Sequence, residues 1–120
     1  MALIRRGEIY YVNLDPIVGR EMGGNKARPV AVLSINDINV KPLVVTIVPG
    51  TTAAGKHSTY RNVAVVTPTP TNGLNVETIF LCHQLRAIDK VRFPSNPVGR
   101  LSARDLQRIE DAIRFSLGLL

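Results

Sequence analysis

The chain has 120 residues, 45% hydrophobic and 20% charged, which suits one globular domain spanning 1–120 and leaves too little length for a second. No apolar run approaches the roughly 18 residues needed to cross a bilayer, and a single cysteine with two histidines excludes an internal disulfide or a thiolate zinc cluster. The net charge of +6 favours a polyanionic partner without naming one.

The first residues, Met1 to Arg6, lack the apolar stretch of a cleavable signal, so the expectation is a protein that stays in the cytoplasm. "EIYYVNL" (8–14) alternates with period two and stops at Asp15-Pro16, which reads as a strand closed by a turn. "GREMGGNKARP" (19–29) is a charged, glycine-rich connection, and its glycines predict a rim able to swing. "PVAVLSI" (29–35) follows as a second strand with its proline at the first position, and Asn36 to Asn39 turn the chain. "LVVTIVP" (43–49) is almost continuously apolar and β-branched, the pattern of a central strand covered on both faces. "NVAVVTP" (62–68) and "ETIFLCHQL" (77–85) supply a fourth and a fifth strand around the breaker-rich "TPTPTNGL".

The last segment is of another kind. Ser102 stands three residues before Asp105 in a capping arrangement, and Leu106, Ile109, Ile113 and Leu117 recur at helical spacing before the terminator Gly118. A helix of about four turns is predicted there, with opposite charges on its outer face. Five short strands and one closing helix make a mostly β, α+β fold: a small bent sheet or barrel with the helix packed on it.

Read in order, "RRGEIYYVNLDPIVGREMGG", "RPVAVLSIND", "VVTIVPGTT", "HQLRAIDK" and "SLGLL" resemble the MazF/PemK family of toxins from bacterial toxin-antitoxin modules. The resemblance covers nearly the whole chain. It implies an SH3-like barrel of the PemK/CcdB type, a homodimer, and cleavage of single-stranded RNA without a metal or other cofactor. It also implies an antitoxin whose disordered tail crosses the active groove.

Arg28, in its Arg-Pro step, matches the family's catalytic arginine, and Thr51, in Pro49-Gly50-Thr51-Thr52, its catalytic threonine. Cleavage of this kind uses the substrate's 2′-hydroxyl as nucleophile, so a protein has to hold that hydroxyl in line, neutralise the phosphorane and manage two proton transfers. A guanidinium fork with a neighbouring hydroxyl suits the phosphate. Glu21 matches an acid at the mouth of the loop, where it would orient Arg28 through a salt bridge. Gln84 and Arg86 match a Gln-x-Arg segment in which the glutamine supports the groove floor. Where the PemK branch has Cys-Asp-Gln, with an arginine before it and a histidine before the loop acid, this chain reads Cys82-His83-Gln84, with Leu81 and Arg20 at those places. The PemK assignment of the base therefore does not transfer, which leaves His83 as a possible base or as a strand histidine bonded at the sheet surface.

Arg20, Lys26, Thr52, Lys56 and Arg61 lie in or beside the loops expected to border the groove, where cations would track phosphates. His57 and Tyr60 could stack on unpaired bases. Cys82 reads as a small core residue. The spacer from Glu21 to Arg28, which contains Lys26, is longer than in the family, and this bears on which bases are recognised. Two other readings stay open: a CcdB-like gyrase poison, although the chain closes in Gly118-Leu119-Leu120 without the aromatic ending such poisons use, and a noncatalytic nucleic-acid-binding barrel.

Overall fold

The computed structural model describes residues 3–24, 26–54 and 60–119. Strand β1 (Glu8–Asn13) pairs antiparallel with β2 (Ala27–Val32), and β2 with β3 (Val45–Thr52). Alternation of side chains explains why all three are covered on both faces. Tyr10, Val12, Val30, Val32, Val45 and Ile47 pack in one cluster, while Ile9, Ala31 and Val48 point into the other. The middle apolar run is therefore central, as its composition implies, but it starts at Val45; Leu43 and Val44 remain exposed.

Pro29 sits inside β2 rather than at its first position. It faces Tyr11 of β1, and the pairing with β3 begins only at Val30, so its missing N–H falls where β2 has a single neighbouring strand. Residues 36–39, read as a turn, close into a one-turn helix α1 (Asn36–Asn39). The buried Asn39 side chain ties it down by donating to the Ser34 carbonyl at 2.8 Å.

The predicted fifth strand is divided. β5 (Thr78–Leu81) pairs with β4 (Val63–Val66) and with the C-terminal half of β3, Gly50 facing Phe80 and Thr51 facing Ile79. Cys82–Gln84 form a 3-10 turn, after which β6 (Arg86–Ile88) pairs with the N-terminal half of the same β3. The kink follows β3 as it bends between the two halves of the sheet. With a second 3-10 turn at Lys90–Arg92 and the short β7 (Gly99–Arg100) on β1, the described residues hold seven strands rather than five, in the order β4-β5-β3-β2-β1-β7 with β6 beside β3. The architecture is the half-barrel with a terminal helix that the pattern calls for.

Helix α2 (Ala103–Leu117) starts where the serine predicts: Ser102 Oγ accepts from the Asp105 N–H at 3.1 Å, and Gly118 ends it in a left-handed conformation. Ile109 and Ala112 are buried against the cluster that contains Phe80 and Cys82, with Leu106 and Ile113 half-buried beside them. Leu117, counted on the same stripe, is 55% exposed because the sheet ends before it. Arg108–Asp105 and Arg114–Asp111 pairs line the outer face. Arg6 moors the helix by donating to Glu110 and, through Nε, to the Leu33 carbonyl at 2.9 Å.

Truncating Ile109 to Ala should cost about 2–5 kcal/mol in denaturant unfolding, the usual range for an apolar core deletion. Burial pushes the Cys82 thiol up to about 12. Burial and the Glu8 carboxylate, which accepts from its hydroxyl at 2.9 Å, likewise raise Tyr10. Both groups hold their protons more tightly in the folded chain. Stability from Cys82 is therefore full below the free thiol's value of about 8.5 and is lost as pH climbs toward 12. Urea midpoints measured at rising pH should fall over that window, and a Cys82→Ser variant should show a smaller fall.

Candidate functional site

The β2–β3 register carries the candidate pair. Val30 faces Pro49, and continuing that antiparallel register outward by two residues brings Arg28 opposite Thr51 on the same face of the sheet. Arg28 Nη1 lies 3.5 Å from Thr51 Oγ1. The two residues, separated by more than twenty positions in sequence, converge on one half-buried spot. Just before Thr51, β3 has no room for a side chain. A Cβ at Gly50 would stand 2.8 Å from Thr78 Cγ2 and 3.1 Å from Phe80 Cε1, so Phe80 packs directly beneath the backbone that presents the threonine.

Arg28 is not oriented as expected. The Glu21 carboxylate turns back within its own loop and accepts from the Val18 N–H at 2.7 Å, while Arg28 Nε donates to the Gly23 carbonyl at 2.8 Å. A carbonyl rather than a carboxylate thus aims the guanidinium. Among the described residues no acid is within ion-pair distance of it. The fork keeps its full charge for a ligand.

Gln84 grips the same loop from the opposite wall. Its Oε1 accepts from the Met22 N–H at 2.6 Å and its Nε2 donates to the Arg20 carbonyl at 3.2 Å, so one planar amide brackets two peptide groups. The 3-10 turn is what lifts Gln84 off the β3 ladder to reach them. With Asp15 Oδ1 accepting from the Gly24 N–H at 3.1 Å, the described residues of the connection are tied at several points.

Between loop and turn lies an open cleft of about 630 Å³, walled by Arg20, Glu21, Met22, His83, Gln84 and Arg86. Arg28 and Thr51 border it only indirectly, across the Met22-Gly23 segment that Gln84 and Arg28 both hold. His83 is exposed on the 3-10 turn, not on a strand, and its Nδ1 is 2.8 Å from Asn62 Nδ2. With the amide donating, Nδ1 is the acceptor and Nε2 carries the ring proton, so base duty requires that bond to break.

The remaining cations divide by role. Arg86 Nη1 donates to the Leu14 carbonyl at 3.4 Å, and the Arg61 guanidinium sits 4.3 Å over the Phe115 ring of α2, away from any groove duty. Arg20 and Lys26 are exposed, as are Thr52, paired with Thr78 at the strand end, and Tyr60. Lys56 and His57 lie outside the described residues. Among the described residues no group of three or more His, Cys, Asp or Glu could hold a metal ion, and no helix is long and apolar enough to cross a membrane. Asp15, Gly23 and Arg92 were invisible as site residues in the sequence. Asp15-Pro16 signals only a turn, and nothing in "DKVRF" marks Arg92, whose Nη1 donates to the carbonyls of Asn13 and Asp15 at 3.1 and 2.8 Å.

Residues 5–117 match the family described as the PemK-like, MazF-like toxin of type II toxin-antitoxin systems. The chain belongs to that family. It is 34% identical over 122 residues to endoribonuclease MazF9 of Mycobacterium tuberculosis, covering 98% of each chain. It is also 31% identical over 121 residues to endoribonuclease EndoA of Bacillus subtilis, covering 98% of this chain and 97% of that one. Among solved structures, MazF of Deinococcus radiodurans superposes with a TM-score of 0.80 at 22% identity, over 99% of this chain and 100% of the other. A mycobacterial endoribonuclease solved with its cognate antitoxin gives 0.74 at 20% identity, over 100% and 98%. These last two show that the fold is shared.

Replacing Gln84 with Ala removes both brackets on this family member's loop. Amide exchange at Met22 should rise by an order of magnitude or more, the loss of roughly one hydrogen bond's worth of protection of about 1–2 kcal/mol, while β3 amides keep theirs.

Proposed function

We propose that this protein is a toxin endoribonuclease that cuts single-stranded RNA by attack of the 2′-hydroxyl on the adjacent phosphate. The observation that carries the reading is the approach of the Arg28 guanidinium to Thr51 Oγ1, with no acid among the described residues within ion-pair distance of the fork. The relatives named endoribonucleases, at about a third identity over nearly the whole chain, support it.

In this reading the O2′–P bond forms as the P–O5′ bond breaks, giving a 2′,3′-cyclic phosphate and a 5′-hydroxyl. The 2′-hydroxyl loses its proton and the departing 5′-oxygen gains one. Arg28 stays protonated at any ordinary pH, so it serves as an electrostatic clamp on the phosphorane rather than as a base. Nε is already committed to Gly23, which leaves the Nη groups for the non-bridging oxygens. Thr51 donates its hydroxyl to the same group as charge builds. Arg20 and Lys26 attract the flanking backbone, and Gln84 keeps the rim in place. The Asn62 bond to His83 Nδ1 argues against base duty for that ring and leaves the base unassigned, and Glu21 acts on loop shape rather than on Arg28. Thr52, Arg86, Lys56 and His57 complete the proposed RNA-facing set. A homodimer, a cognate antitoxin and a cytoplasmic setting belong to the same proposal.

Purified protein incubated with a long single-stranded RNA in EDTA should yield discrete fragments with cyclic phosphate ends. Intact RNA would leave only a noncatalytic barrel or a poison of another target. Arg28→Ala should lower kcat by about 10²–10³-fold, the scale of losing a transition-state donor, and Thr51→Ala by less. His83→Ala should cut at close to the wild-type rate across about pH 5 to 8 if the Asn62 bond holds; a collapse of the rate there would make His83 the base.

A further inference from the structure

We infer that Asp15 is a positioning residue for Arg28, acting through the single peptide group between Gly23 and Gly24; this rests on reading Arg28 and Thr51 as the cleaving pair. The Gly24 N–H donates to Asp15 Oδ1 at 3.1 Å, and the Gly23 carbonyl accepts from Arg28 Nε at 2.8 Å. That N–H and that carbonyl belong to one peptide bond. In a planar trans peptide the two point in opposite directions, so whatever fixes the N–H also fixes the carbonyl. Asp15 therefore sets the direction of the acceptor that aims the guanidinium at Thr51.

A peptide between two glycines needs such a lock. Neither side has a Cβ to bias rotation, and Gly24 already sits at φ +106, a region closed to most side chains. The fit is close on both sides. A Cβ at Gly23 would stand 2.8 Å from Asp15 Oδ1 and 2.5 Å from Ile17 Cγ2, and one at Gly24 would meet Arg28 Nη2 at 3.3 Å.

The anchor is itself rigid. The Asp15 N–H donates to Asn13 Oδ1 at 2.9 Å, and its carbonyl accepts from Arg92 Nη1 at 2.8 Å. Arg92 also holds the Asn13 carbonyl and Arg86 the Leu14 carbonyl, so three consecutive carbonyls at the loop's root are tied to β6 and the turn after it. From that base the half-buried Asp15 carboxylate reaches across the loop to a glycine nine positions on.

The test combines kinetics with an NMR readout of the Arg28 Nε–H. Asp15→Ala should lower kcat on a defined RNA by about 10–100-fold, the cost of a misplaced transition-state group, with KM and thermal midpoint little changed. Asp15→Asn keeps an acceptor oxygen and should recover most of the rate. In an Arg28→Lys background, which has no Nε to aim, Asp15→Ala should cost little more. The Arg28 Nε–H should exchange slowly in the wild type, fast in Asp15→Ala and slowly again in Asp15→Asn. Should Asp15→Ala not fold, Asp15→Glu, which keeps the charge but misplaces the oxygen, should give the same pattern. Wild-type kcat and Nε–H protection in Asp15→Ala, an Asp15→Asn as slow as Asp15→Ala, or an undiminished Asp15 effect in the Arg28→Lys background would each overturn the inference. If the wild type cuts no RNA, the proposed function fails while the Nε–H measurement still decides the link.

Discussion

The antiparallel register between β2 and β3 is the constraint on which the site depends. Because side chains alternate with period two, a slip of one residue would turn Arg28 to the opposite face from Thr51. The register is held by the core itself. Val30 and Val32 on one strand and Val45 and Ile47 on the other are buried in a single cluster while Ala31 and Val48 fill the opposite one, so a slip would drive large side chains into the space of the small Ala31 and leave voids where the valines stood. Burial of such side chains contributes about 1.5–3 kcal/mol each, so the register is enforced far more strongly than any contact within the site could enforce it. Arg28 and Thr51 simply extend that face beyond the point where the apolar residues end.

A second level of control fixes how the guanidinium is turned once the strand has placed it. Here the work is done by amides rather than by charge pairs. Gln84 brackets the loop at Arg20 and Met22, and the Gly23 carbonyl holds Arg28 Nε. An opposing carboxylate would orient an arginine equally well but would also compete with a phosphate for the fork. The Glu21 side chain, turned toward Val18, avoids that competition.

The excess positive charge is not one footprint. Arg6, Arg86 and Arg92 are occupied with carbonyls or Glu110, and Arg61 lies on an aromatic ring of α2. These cations hold elements together. Among the described residues weighed for RNA, Arg20 and Lys26 are exposed, Arg20 and Arg86 wall the cleft, and Arg28 stands half-buried beside Thr51. Net charge read from composition thus overstates the surface available to a polyanion, since arginine's donors serve backbone acceptors as readily as phosphates.

By itself the sequence determined the first four strands, the helix with its serine cap and glycine stop, and the central place of the third strand, and its family motifs singled out Arg28 and Thr51 as the candidate pair. Those features are local: period, capping chemistry and short motifs are written in neighbouring residues. Only the tertiary structure decided that "ETIFLCHQL" breaks at Cys82, that Glu21 does not pair with Arg28, and that Asp15 and Arg92 stand behind the loop. Each of these turns on which backbone carbonyl or N–H comes within reach after the sheet has bent. Backbone groups are the same at every position, so no pattern of side chains announces which of them a distant residue will meet.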